Sequence, residues 1–178
     1  MNLAEILVAL AVSGLLFGGT ALLLEQGQQA HAVGQARVEI QQGTRLALER
    51  LAAEIRGAGF ATGPVPIPPI AVATPTRLTI QHDLDGDGVA SSRGERITYL
   101  LRGTTLRRDA GGGAQPMLDG VKALSFTYLD AERRETAAAD EVRSVVVSLT
   151  VAPARARWLP WVSPVVAEAT IEARLRNR

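Results

Sequence analysis

The run MNLAEILVALAVSGLLFGGTALLL, residues 1–24, limits what this chain can fold into more than anything after it. Its one charged side chain is Glu5, and it contains no proline. As an α-helix rising about 1.5 Å per residue it spans roughly 36 Å, enough for a bilayer core of about 30 Å. The run is apolar all round. An ionisable group inside such a segment costs at least a few kcal/mol and is by default a sign of function. Assembly with other subunits is the reason read for it here.

The start of the chain does not read as a secretory signal, which would show a basic flank, a shorter apolar run and a small-residue cleavage site. Apolar character begins at Leu3 with no basic residue ahead of it, as though a leader had already been removed. The positive flank of a simple signal anchor is missing as well.

Residues 25–56 continue the helix in water, rich in Gln, Ala, Glu, Leu and Arg and without proline. Ile40, Leu48, Leu51 and Ile55 form one apolar stripe. Arg45 with Glu49 and Arg50 with Glu54 are i,i+4 pairs. Gly57 and Gly59 end the helix, and Pro64, Pro66, Pro68 and Pro69 prevent its resumption. The whole element is expected to be roughly 85 Å long. Gly14, Gly18 and Gly19 lie inside its apolar half. Two readings stay open for them: ordinary small residues of a membrane helix, or a hinge that unwinds easily.

Beyond the prolines the pattern turns to β. Residues 76–82, 95–102, 104–108, 121–130 and 142–151 read as strands, with glycine turns between several of them. In the last strand Val165, Ala167, Ala169, Ile171, Ala173 and Leu175 face one way, while Glu168, Thr170, Glu172, Arg174 and Arg176 face the other. The expected class is α+β, with a long N-terminal helix whose apolar stripe packs on an antiparallel sheet. The expected divisions are an apolar stem half (1–24), an amphipathic stem half (25–57) and a β-rich head (58–178). With aromatics at 4%, the core must rest on Val, Leu, Ile and Ala. Cysteine is absent, which removes disulfides, thiolate metal sites and Cys nucleophiles. A domain without such staples gains from a structural cation or from neighbouring subunits. A net charge of +1 gives no argument for nucleic acid.

Asp83, Asp85 and Asp87 alternate ahead of Gly88, as at the opening of an EF-hand calcium loop, where alternating carboxylates set hard oxygens around a tight turn. The pattern then departs: its twelfth position is Gly94, Glu95 comes one residue late, and strands flank it. Calcium held by Asp83, Asp85 and Asp87 with Glu95 or backbone carbonyls is one reading; a solvated Asp/Gly turn is the other. No cofactor is otherwise required. Trp158 and Trp161 follow Arg155 and Arg157 in a loop, and read either as a subunit contact or as core folded over the sheet edge. His31 and His82 have no visible catalytic companion, and the glycine run at 111–113 lacks the lysine of a phosphate loop. No enzymatic activity is expected.

The run LAEILVALAVSGLL with Glu at position five resembles the class III methylation motif of type IV pilins and type II secretion pseudopilins. The segments LERLAAEIRGAGF, DLDGDGVASSRGERITYLL, GVKALSFTYLD and LRNR are most similar to minor pilins of the PilW type, related to pseudopilin J. Position one departs from the common phenylalanine, the stem lacks the proline kink of many pilins, and their terminal-loop cysteine pair is absent. The resemblance implies a mature chain cut by a prepilin peptidase and N-methylated at Met1. It would be held first in the bacterial inner membrane, then extracted by the pilus assembly machinery to join other pilin subunits in a cell-surface filament. Glu5 would pair with a Met1 amine of the same or a neighbouring subunit. The subunit would be minor, priming or at the tip. A periplasmic pseudopilin of a type II secretion system is the alternative, and a monomeric membrane-anchored ectodomain fits Glu5 less well.

Overall fold

With no proline before Pro64 and with Ala, Leu, Gln, Glu and Arg outnumbering its glycines, the first part of the chain is helical without a break. In the computed structural model, which describes residues 2–153 and 166–177, this helix is α1, Leu3–Gly57. The chain divides into two units, Met1–Val38 and Glu39–Arg178. In the first, no described residue is buried: Ile6 is 39% exposed, Leu7 60%, Leu15 78% and Phe17 77%. An 18-residue window has a mean hydropathy of 2.3, so α1 is long and apolar enough to cross a membrane. It continues through Gly14, Gly18 and Gly19 uninterrupted.

The second unit begins inside α1. Thr44, Ala47, Leu48, Leu51, Ala52 and Ile55 are buried at alternating steps of three and one, which is one face of a helix. Ile40 is half-buried at the start of the same stripe. The helix stops where expected. Gly59, at φ +80°, donates its N–H to the Gln81 carbonyl at 2.8 Å. A Cβ on Gly59 would stand 2.2 Å from the Asn177 carbonyl oxygen, so only glycine fits. The Asn177 side-chain amide donates to the Gly57 carbonyl at 3.0 Å, satisfying an orphan acceptor of the last turn.

Among the described residues eight strands follow: β1 (Ile70–Thr74), β2 (Arg77–Gln81), β3 (Arg96–Arg102), β4 (Thr105–Asp109), β5 (Gln115–Asp119), β6 (Val121–Leu129), β7 (Ser144–Val151) and β8 (Ala167–Arg174). All pairings between them are antiparallel. They form two sheets, β1-β2-β3-β4-β5 and β6-β7-β8, where a single one was expected. Gly120, at φ +77°, turns the chain out of the first sheet into the second, and the Val121 N–H donates to the Thr104 carbonyl at 2.9 Å. The sheets are tied by the Phe126 N–H to the Pro75 carbonyl at 2.9 Å and the Tyr128 hydroxyl to the Thr74 carbonyl at 2.7 Å.

Two strands were not anticipated. β1 follows immediately on the prolines that read as linker, and β5 contains Pro116. Both lie at edges of their sheet, where a missing N–H is tolerated. Leu78, Ile80, Tyr99, Val145, Val147 and Leu149 contribute to one core with the α1 stripe.

Candidate functional site

Glu5 lies in the first turn of α1. Asn2 precedes the helix and its backbone N–H donates to Glu5 Oε2 at 3.1 Å. The acid sits three residues after the N-cap, where a carboxylate reaching back satisfies an orphan donor and complements the positive end of the helix. Glu5 thus has a local partner within its own chain, which its position in the apolar run did not reveal. Met1 lies outside the described residues, and Gly14, Gly18 and Gly19 have nothing within 4 Å of where a Cβ would stand.

The loop between β2 and β3 is organised by two buried carboxylates, Asp83 and Glu95. Asp83 accepts the Gly86 N–H at 2.7 Å on one oxygen and the Gly88 N–H at 3.1 Å on the other. Both glycines have positive φ, +84° and +80°, so the turn calls for them. Glu95 Oε1 accepts N–H groups from Leu84 (2.9 Å) and Asp85 (3.2 Å), and Oε2 accepts that of Ser92 at 2.8 Å. Hydrogen bonding from the Leu84 N–H, aided by Ser92 and Asp85 and opposed by burial, holds the Glu95 carboxyl below its usual range. Asp85 accepts the Ser92 hydroxyl at 2.7 Å, which lowers its pKa, and Asp87 accepts the Val89 N–H at 2.8 Å.

Asp83, Asp85 and Asp87 each bring a carboxylate oxygen within 4.8 Å of the others. Glu95 is not in that group; its oxygens point at the loop's own amides. Three hard oxygens converging in a tight loop suit calcium by donor type. The loop's chemistry therefore separates into a buried clamp, Asp83 and Glu95, and a more exposed pair of acids, Asp85 and Asp87.

A second polar cluster was not foreseen. Glu54, read as the surface partner of Arg50, does accept from Arg50 Nε at 3.2 Å. It also accepts from Arg108 Nε at 2.9 Å and from the Tyr99 hydroxyl, both on the sheet. Burial disfavours the Glu54 carboxylate, yet hydrogen bonds from Arg108 and Tyr99 outweigh it and hold its pKa down. Burial, with Glu54 nearby, pushes the Tyr99 hydroxyl far up. His82 is half-buried beside this cluster, and desolvation lowers its pKa. Nothing in the sequence announces the cluster, because its members lie 45 and 54 residues apart. Trp158 and Trp161 lie outside the described residues.

No family model and no curated protein matches the chain. Among solved structures the chain is similar to the type IV-like pilin TTHA1219 from Thermus thermophilus. That similarity has 16% sequence identity, covers 77% of this chain and 95% of that one, and has a TM-score of 0.49.

Proposed function

We propose that the chain is a structural, non-enzymatic subunit of a type IV pilus-like filament, minor, priming or at the tip, and similar to the PilW type. One observation carries this reading. Residues 3–24 present apolar side chains on every side, uncovered by their own unit, with a single acid at the helix start. Such a surface needs lipid or other stems around it. In the reading, the segment crosses the bacterial inner membrane before assembly, after a prepilin peptidase has freed Met1. The assembly machinery then moves it into a bundle of stems in a cell-surface filament. There Glu5 faces the Met1 amine of a neighbour, which offsets part of the cost of a buried carboxylate and sets axial register.

Quantitative mass spectrometry of filaments sheared from the native cell surface, including the N-terminal peptide, tests the reading. Trace amounts beside a more abundant pilin, with Met1 methylated, are expected. Dominance in the sheared fraction would make it the principal subunit instead. Retention in the envelope with none in filaments would overturn the pilus reading in favour of a secretion pseudopilin.

Calcium belongs to the same proposal. Asp83, Asp85 and Asp87 are its ligands, supported by the convergence of their oxygens, and Glu95 holds the loop amides rather than the ion. Calorimetric titration of the chelator-treated full chain should give heat and a raised melting temperature, both weakened in Asp87→Asn. Neither heat nor a thermal shift at millimolar calcium would remove the ion from the reading.

A further inference from the structure

The three-stranded sheet ends on β8, whose outer side carries no further strand among the described residues. Strand geometry says which groups stand there. The Leu175 N–H, just past β8, donates to the Arg143 carbonyl at 2.9 Å, on the β7 side. Backbone groups alternate in direction along an antiparallel pair, so Ala167, Ala169, Ile171 and Ala173 also turn theirs to β7. The N–H and C=O groups of Glu168, Thr170 and Glu172 turn away from it. Arg176, in step with these, shows where that direction leads: its N–H donates to the Arg56 carbonyl of α1 at 3.3 Å.

At that end α1 lies over the edge, and further back the two part. A cleft of about 430 Å³ opens there, lined by Gln41, Thr44, Arg45 and Leu48 of α1 and by residues 166–171. Ala169 and Ile171 are half-buried on its strand side. Thr44 is only 2% exposed, yet its hydroxyl has no hydrogen-bond partner, not even the carbonyl one turn back that a helical threonine ordinarily uses. The other sheet edges are covered or blunted. β1 and β6 are tied to each other through Pro75 and Thr74, and β5 carries Pro116 and a slipped register with β4. Every residue of β8 instead pairs with β7 without a shift, and a regular open edge is a template for one more strand. Charge narrows what that strand can be. Arg45 and Glu49 satisfy each other at 2.7 Å, which leaves Glu168 as the exposed charge of the cleft with no ion pair among the described residues.

We propose that β8 receives an extended segment of a partner protein as an added antiparallel strand, one in which apolar residues alternate with basic ones. Apolar side chains enter the cleft over Leu48, Ala169 and Ile171. Basic side chains lie on the outer face beside Glu168, and their residues exchange main-chain bonds with Glu168, Thr170 and Glu172. Such an edge is separate from the packing of stems and serves the chain inside a filament or outside one.

The probe is an end-blocked octapeptide of alternating valine and lysine, added to the full chain in non-ionic detergent. At saturation, amide exchange followed by NMR should slow about tenfold or more at Glu168, Thr170 and Glu172. The register makes the contact directional: in an antiparallel partner the lysine amides face β8 and the valine amides face away. N-methylation of the lysine amides should therefore abolish binding, and N-methylation of the valine amides should leave it. Thr170→Pro removes an outward N–H and spares the bonds to β7, at the cost of one exposed hydroxyl contact to Ser148, and should weaken binding about tenfold. Glu168→Lys, a surface change, keeps the test open if that variant does not fold. It should weaken the lysine peptide about fivefold and favour a valine–glutamate peptide instead. No slowing at the three amides, no effect of lysine N-methylation, or an unchanged peptide preference in Glu168→Lys would each overturn the proposal.

Discussion

Glu5→Ala is expected to leave the melting temperature of the second unit unchanged while cutting incorporation into filaments about tenfold or more. The residue lies in the first unit, while the hydrophobic core among the described residues is made of residues of the second, so the first half of the expectation follows from its place in the chain. The second half follows from charge. A stem bundle excludes water, and the amine of a neighbouring stem would lose its counter-charge in the variant. The Asn2 contact supplies the control. Glu5→Gln keeps an oxygen for the Asn2 N–H but carries no charge. Incorporation lost in both variants supports ion pairing between subunits. Incorporation restored by Gln means that the acid serves only to cap its own helix, and the pairing is then wrong. Immunoblots of sheared and cell-bound fractions separate the cases.

Glu54→Ala should destabilise the second unit by about 2–4 kcal/mol, because it strands two partly buried partners at once. Arg108 would lose its carboxylate and the Tyr99 hydroxyl its acceptor. The pH dependence should change with it. Glu54 has a folded pKa below its ordinary 4.5, so its contribution is present above that value and fades as pH falls through the folded pKa. His82, also depressed, acts in the same direction from about 6.5 downward, since a buried neutral imidazole must be charged in acid. Thermal melts of the wild type should therefore fall progressively below pH 6.5, and steeply below 4.5. The variant should start lower and fall less steeply there, the remaining fall coming from carboxyls such as Glu95 that are also held below their usual range. Parallel curves for the two proteins would show that Glu54 is not the group that titrates.

Much of this fold is legible in the residues because local and global signals agree. The stripe through Leu48, Leu51 and Ile55, the glycines after it, and the β-branched run of β7 each have one reading, and the structure has that reading. From Ala167 on, the alternation expected for the last strand is likewise the observed one, with Ala173 and, just past β8, Leu175 buried and Glu172 and Arg174 exposed, while Val165 lies outside the described residues. What failed was information held at long range. β1 and β5 contain or follow prolines, and only their position at sheet edges makes them strands. The split into two sheets depends on how Gly120 redirects the chain, which no periodicity encodes. At the candidate sites, the Asp alternation was visible, but the burial of Asp83 and Glu95 was not. Neither was the capture of Glu95 by three amides of its own loop. Glu54 carried a misleadingly complete local explanation in Arg50, which concealed its partners on the sheet.

The clamp made by Asp83 also bears on how the molecule ages. Asp85-Gly86 and Asp87-Gly88 are of the aspartyl type in which the following nitrogen most readily attacks the side chain, closing a succinimide that reopens as isoaspartate. In this loop both of those nitrogens are occupied, since the Gly86 and Gly88 N–H groups point into the Asp83 carboxylate. Held there, with each glycine fixed in the left-handed region, neither nitrogen is free to swing onto its neighbour. A carboxylate that shapes a turn thus also guards two aspartates against slow chemical damage.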